Sequence, residues 1–327
     1  MLFFVACKNQ ESANTKTQAE EEKKIECNSI FEVVHGCSQD ELEAWLLRDS
    51  TYANQRDTTK YQKTILMYAA EINDSSKFNL LLQHGADPFA LVNKYIYPQY
   101  DVLYVALKND ADNVLKTIIN QKLFDLNKRY SDCESPIYTC ARENSPKTMK
   151  LLIENGANIH VIDECQGVKG HSPLAWAAME RSYDACKVLI ENGADVNRIE
   201  DNMHSVLGIT CLTYENEGSF DIIKLLVENG ADVNQANDLN FTPLMMCAFI
   251  DNVKCIEFLV KNGAELNAMT SSGYTALHYA TNNDKIETAE LLLKLGADPN
   301  IRDNQGNLAI DLLSNQELKR QFLALIK

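Results

Sequence analysis

The chain is 327 residues long, 45% hydrophobic and 24% charged, with 46 acidic against 31 basic residues and a formal net charge of −15. That balance argues against a nucleic-acid backbone or an anionic lipid surface as the main partner. No apolar run approaches the ~18 to 20 residues that would span a bilayer, and length alone does not count domains if the sequence repeats.

The chain opens on MLFFVAC, a short apolar run directly before Cys7 with a small residue, Ala6, just ahead of it. These residues resemble the end of a bacterial lipoprotein signal, which implies that Cys7 is the acylated residue. The run departs from that pattern: it is five residues long and no Lys or Arg precedes it, whereas an export signal has a charged start and about 7 to 15 apolar residues. The resemblance implies a cell-envelope location if an upstream signal exists, and a cytoplasmic one otherwise. Residues 8–28 are almost free of apolar side chains and are expected to form a flexible polar linker, because burial there cannot offset the entropy of ordering.

Order is expected from residue 29. Ile30, Phe31, Val33 and Val34 predict a short helix ending at Gly36, and Ser38 with Glu41 makes a capping box for a second helix carrying Leu42, Trp45 and Leu46. Residues 29–53 read as an N-terminal cap-like unit.

Beyond it one helix ending recurs: LLLQHGADP at 80–88, LLIENGANI at 151–159, VLIENGADVN at 188–197, LLVENGADVN at 225–234, FLVKNGAELN at 258–267 and LLLKLGADPN at 291–300. The glycines Gly85, Gly156, Gly193, Gly230, Gly263 and Gly296 stand 71, 37, 37, 33 and 33 residues apart, a period near 33 with insertions. A helix start precedes each ending, at Thr64, Ser135, Ser172, Ser205, Thr242 and Thr275, with a seventh at Asp101. Ser, Thr or Asp accepts the free N–H groups of the first turn, and Pro at the first helical position loses no hydrogen bond. In five of the seven units the cap stands 21 residues before the Gly, so the helix pair has a fixed span.

A cap followed by Pro-Leu-His-x-Ala, a helix pair and Gly-Ala-Asp-x-Asn at this period resembles the ankyrin repeat, best in Thr275-Ala276-Leu277-His278-Tyr279-Ala280 with Gly296-Ala297-Asp298. The match runs from about residue 54 to the end. It implies an all-α solenoid of stacked antiparallel helix pairs with projecting β-hairpin-like loops: one array over 29–327, with about seven repeats in 54–298 and a C-terminal cap in 299–327.

Three departures from the family pattern stand out. The His that bridges neighbouring units survives only as His278, so cohesion is expected from apolar stacking. Asn73, Asn144, Asp251 and Asp284 replace the Gly between the two helices, and Asn and Asp tolerate its left-handed conformation. The unit starting at Asp101 lacks the Gly ending, carries Leu123-Phe124-Asp125 instead, and is the expected soft spot. Insertions enlarge the hairpins at 88–100 and 159–171 and lengthen the link at Tyr214 to Gly218.

For function, the variable position two residues after the motif Leu reads Tyr68, Val105, Thr139, Trp176, Ile209, Met246 and Tyr279. Stacking would align these residues, so Tyr68, Val105, Trp176, Ile209, Met246 and Tyr279 are the candidate partner-binding stripe on the concave face. Packing by neighbouring helices is the competing explanation. Tyr95, Tyr97 and Tyr100 form a secondary patch. His160, Cys165 and His171 could contribute to a zinc site, but their spacing fits no compact zinc pattern, and an ordinary polar loop explains them better. The ten cysteines include no CxxC pair, and Cys140, Cys211 and Cys247 read as buried thiols and not as a disulfide framework.

No phosphate loop, HExxH or GxSxG is present. The expectation is a non-catalytic, monomeric scaffold without a cofactor, binding a protein partner with a basic rim through its concave face and hairpin tips. A lipid-anchored envelope protein and an enzyme with an unrecognised site in 88–130 are the alternatives.

Overall fold

Most first helices of the pairs begin where a hydroxyl or carboxylate takes up a free backbone N–H group, although the expected cap Ser135 makes no such bond. The computed structural model describes residues 27, 29–59, 61–92, 101–129, 135–162, 170–200, 204–212 and 217–325. In it Thr64, Asp101, Ser172 and Thr242 each accept from the N–H three residues on, and Thr275 does so in a reciprocal box with His278. The expected box of Ser38 with Glu41 also forms.

The helices come in pairs: α1 (Ile30–Gly36) with α2 (Gln39–Arg48), α3 (Ile65–Glu71) with α4 (Ser75–Gln83), α5 (Val102–Lys108) with α6 (Asp112–Asn120) and α7 (Pro136–Glu143) with α8 (Pro146–Glu154). Then follow α9 (Pro173–Met179) with α10 (Tyr183–Glu191), α11 (Val206–Leu212) with α12 (Glu217–Glu228), α13 (Pro243–Phe249) with α14 (Val253–Lys261) and α15 (Ala276–Asn282) with α16 (Ile286–Leu295). A 3-10 turn at Ala309–Leu312 and α17 (Gln316–Leu325) close the chain. First members pack on first members from α1 to α15, and second members form an outer row. At α12 and α14 that row is joined by the edge-on rings of Phe220 and Phe258, 5.6 Å apart.

The inner helices are seven or eight residues long, too short to hold alone in water. Packing holds them: the motif leucines Leu66, Leu103, Leu174, Leu207, Leu244 and Leu277, with Ile137, are buried along the whole row. This is an all-helical repeat solenoid, and its projecting loops carry isolated antiparallel bridges, Arg56 with Thr64, Ile199 with Ser205 and Arg302 with Leu308. No helix among the described residues is long and apolar enough to cross a membrane.

The residues between paired helices are left-handed as anticipated, with φ of 56° at Asn73, 52° at Asn144, 67° at Asp251 and 55° at Asp284; Asp110 and Arg181 adopt the same conformation. Their side chains add something that spacing did not suggest. Asn73 Oδ1 accepts from the N–H groups of Asn113 and Val114 at 2.9 and 3.2 Å, in the first turn of the next outer helix. Asp110 accepts from Thr148 N–H at 2.8 Å, Asn144 from Ala185 N–H at 3.0 Å, and Asp284 from Ser314 N–H at 2.9 Å. Helices α6, α8, α10 and α16 have no side-chain cap of their own. Each of the first three is therefore capped by the preceding unit, while Asp251 takes the Thr288 hydroxyl of α16 at 2.6 Å. This corrects the expectation that apolar stacking alone joins the units.

The Asp101 unit is also less degenerate than its sequence. Lys122 takes the left-handed position at φ 53°, and its N–H bonds Ile119 as Gly85 N–H bonds Leu82, so the missing glycine costs strain but not geometry. The cap-to-turn span is again 21 residues, from Asp101 to Lys122.

Among the described residues the cysteines fall into two sets. Cys27 and Cys37 form a disulfide across α1, whereas Cys140, Cys186, Cys211, Cys247 and Cys255 are free and buried. Burial pushes the Cys140 thiol up to about 12.

Candidate functional site on the inner-helix face

Stacking places the variable inner-helix positions in one row, but it does not expose them equally. Val105 and Ile209 are each 4% exposed and Met246 is 1% exposed, so these three leave the set of accessible contacts. For Met246 the cause lies in the neighbouring unit. Gly208 of α11 has no Cβ, and one placed there would lie 3.0 Å from Met246 Sδ; the thioether fills that gap and turns into the stack. Thr139 is buried as well. Tyr68, Trp176 and Tyr279 remain half-buried.

The three differ in setting. Tyr68 donates its hydroxyl to Asp57 Oδ2 at 2.5 Å, and its ring meets Phe31 and His35 of α1 edge-on at 5.4 and 5.0 Å. Burial first, then the Asp57 hydrogen bond, raises its phenol above the ordinary value of 10.0. Trp176 lies against His171, ring centroids 6.3 Å apart, and its buried indole N–H has no hydrogen-bond partner among the described residues.

Tyr279 is the centre of a group that the single-stripe argument missed. Phe241 lies 4.7 Å away, Tyr274 5.4 Å and Phe249 6.3 Å between ring centroids. Phe249 is 45% exposed. Its signal was present, since Phe249 follows Met246 by three positions and so shares its helix face. Phe241 and Tyr274 are less obvious because they precede the caps Thr242 and Thr275 and reach the face only through the hairpin bend. On the hairpins, Leu239 at 65% and Met269 at 43% exposed add apolar surface, joined by a bond from Ser271 N–H to Leu239 C=O at 2.9 Å.

The polar candidates resolve differently. His171 Nδ1 stands 4.0 Å from Glu200 Oε2, and Arg198 Nε 3.8 Å from Glu200 Oε1. That carboxylate is fully buried and accepts from the Ser172 N–H at 2.8 Å and hydroxyl at 2.6 Å. His171 therefore belongs to a buried anchor that ties one hairpin to the cap of the unit before it. His160 is exposed, with its N–H bonded to its own unit's Asn158 at 2.9 Å. Cys165 lies outside the described residues, as do Tyr95, Tyr97, Tyr100 and Cys7. Among the described residues no three His, Cys, Asp or Glu side chains are placed to share a metal ion. Tyr104 donates to Glu143 at 3.2 Å and accepts from Arg142 at 3.3 Å. Burial first, then the Glu143 charge, pushes its phenol up to about 12. A hollow of about 210 Å³ lined by Tyr183, Asp221, Lys224, Leu225 and Glu228 opens on the outer helices, away from this face.

Paired short helices, left-handed turns between them and a partly exposed inner row define a helical repeat protein of the protein-binding class. The chain belongs to the ankyrin-repeat family: the family model described as "Ankyrin repeats (3 copies)" matches residues 102–200 and 210–303, more than half of its length. Among solved structures it is similar to the ankyrin repeat domain of human ASB11, with a TM-score of 0.59 and 24% identity, covering 68% of this chain and 96% of that one. The ankyrin repeat domain of Bcl-3, described as a unique member of the IkappaB protein family, matches with a TM-score of 0.59 and 19% identity over the same shares. No curated protein matches the sequence. At these identities the solved structures speak for the fold alone.

Proposed function

We propose that the array is a non-catalytic scaffold that binds a partner protein on the inner-helix, concave face of its C-terminal half. The observation that carries this reading is the aromatic group of Phe241, Phe249, Tyr274 and Tyr279, with half-buried Trp176 three units before Tyr279, on a stretch of the row whose other two members, Ile209 and Met246, are buried. Large rigid side chains lose little rotamer entropy on binding and dominate interface energetics. The net charge of −15 favours a protein with a basic rim and salt-sensitive association, and disfavours nucleic acid. The scaffold acts as a monomer and needs no cofactor.

Crosslinking the full chain in living cells, followed by mass spectrometry, identifies the partner. Trp176→Ala with Tyr279→Ala is expected to weaken its binding by about 2 kcal/mol or more, while Tyr183→Ala on the outer face leaves it unchanged. A partner held equally by the double variant would remove this face from the interface.

A second reading, a lipid-anchored envelope protein acylated at Cys7, is favoured by the Cys27–Cys37 disulfide, because such bonds persist in oxidising compartments. Metabolic labelling with an alkyne fatty acid tests it: label that survives Cys7→Ala would exclude Cys7 as the anchor.

A further inference from the structure

The disulfide encloses one element. Its cysteines stand ten residues apart and flank α1 completely, from Ile30 to Gly36. A seven-residue helix does not persist on its own, so α1 rests on three supports. Ile30, Val33 and Val34 are buried beneath it, Lys77 Nζ donates to the Val34 carbonyl at 2.8 Å, and the Cys27–Cys37 bond closes it into a covalent loop. What α1 covers is the N-terminal end of the inner row: Phe31 and His35 lie edge-on against Tyr68, and Met67 beside it is fully buried. Cys27 is half-buried and Cys37 is 8% exposed, whereas the five free thiols lie within the core. Among the described residues, the bond across α1 is thus the cysteine pair within reach of a thiol reagent.

We propose that the Cys27–Cys37 disulfide makes α1 a redox-sensitive end cap. Oxidised, it holds α1 over Tyr68; reduced, it lets α1 loosen and lengthens the accessible inner face by one unit. The reductant is a dithiol. One of its thiolates attacks the more accessible Cys27 sulfur and forms a mixed disulfide, and Cys37 leaves as a thiolate and takes up a proton. The reductant's second thiolate then closes on the mixed disulfide, so the reductant becomes a disulfide and Cys27 is released as a thiol. Two electrons and two protons pass in total. Cross-linking of this kind acts by restricting the loosened state, so its loss falls on α1 first and leaves the remote units intact.

Hydrogen exchange of the full chain, oxidised by glutathione disulfide or reduced by dithiothreitol, reads this out. Reduction is expected to speed exchange in residues 29–37 by about tenfold or more while residues 243–295 stay unchanged. Cys27→Ser, which spares the core, should match the reduced wild type with or without dithiothreitol. Equal protection of 29–37 in both states would overturn the switch. So would peptide mapping of the oxidised chain that found Cys27 and Cys37 both alkylated. Neither measurement involves a partner, so the end cap and the binding face stand or fall separately.

Discussion

The joints between units differ along the array. In the C-terminal half Asn197 donates to the Gly230 carbonyl at 2.9 Å and accepts from Asp232 N–H at 2.8 Å, and Asn234 repeats this with Gly263 at 3.0 Å and Glu265 at 2.9 Å. Asn267 accepts from Asp298 N–H at 2.9 Å. Between Gly85 and Gly193 the ladder survives at Asn127, bonded to Gly156 and Asn158, but is interrupted on either side of it. Phe89 and His160 hold the ladder positions there, four residues after Gly85 and Gly156. Phe89 instead packs its ring at a tilt against Phe124, centroids 5.1 Å apart, and Phe124 is the residue that the Asp101 unit inserts before Asp125. An apolar contact is non-directional and tolerates an inserted residue; a two-point amide bridge does not. The interruptions fall at the two units with enlarged hairpins, where loops of unequal length must meet.

An equal cut in each half tests whether the two sets of joints differ in strength. Leu115→Ala in α6 and Leu259→Ala in α14 both empty a fully buried site and are expected to cost about 3 kcal/mol each. Because units in a solenoid contact only their neighbours, Leu115→Ala should give protease cleavage confined to about residues 101–129 before global unfolding. Leu259→Ala should instead lower the main urea midpoint. First cleavage inside 233–300 in the Leu115→Ala variant would reverse the assignment of the weaker half.

A smaller effect separates the two roles of the inter-helix residue. Asn144→Gly keeps the left-handed turn but removes the cap on α10, for a loss of about 1 kcal/mol. Asn144→Ala loses both and should cost about 1 kcal/mol more. Equal midpoints for the two variants in chemical denaturation would mean that one role is absent.

Smaller still is the repair of an interrupted joint. His160 is exposed, and its N–H already bonds Asn158 as Asn197 N–H bonds Asp195, both at 2.9 Å. His160→Asn therefore meets a preformed turn and should raise stability by about 0.5 to 1 kcal/mol through a bridge to the Gly193 unit. The same residue placed at Asp195 should gain nothing.

The last test is acid. Asp284 is held below its ordinary 3.8 by hydrogen bonds from Ser314, side chain and backbone. A depressed folded value means that this contact is fully stabilising above the unfolded pKa and is lost as pH falls through the folded one. The Ser314 amide resonance should titrate with a midpoint below 3.8 and lose that transition in Asp284→Asn.

Much of this protein was legible in its residues. The caps Thr64 and Ser172, the turn residues Asn73 and Asn144 and the box of Ser38 with Glu41 are local devices, decided by a hydrogen bond or a φ value within three or four positions. The period then dictated the fold. The candidate site was only half legible: Trp176, Tyr68 and Tyr279 keep exposed surface, while Val105, Ile209 and Met246 do not. Which ring meets which, the caps lent from one unit to the next, and the pairing of Cys27 with Cys37 belong to the tertiary structure. They depend on how closely adjacent units approach, and that distance is set by side-chain volume in the neighbour. Gly208 shows the reason: one absent Cβ in α11 takes Met246 off the surface, and no periodicity within α13 could have shown it.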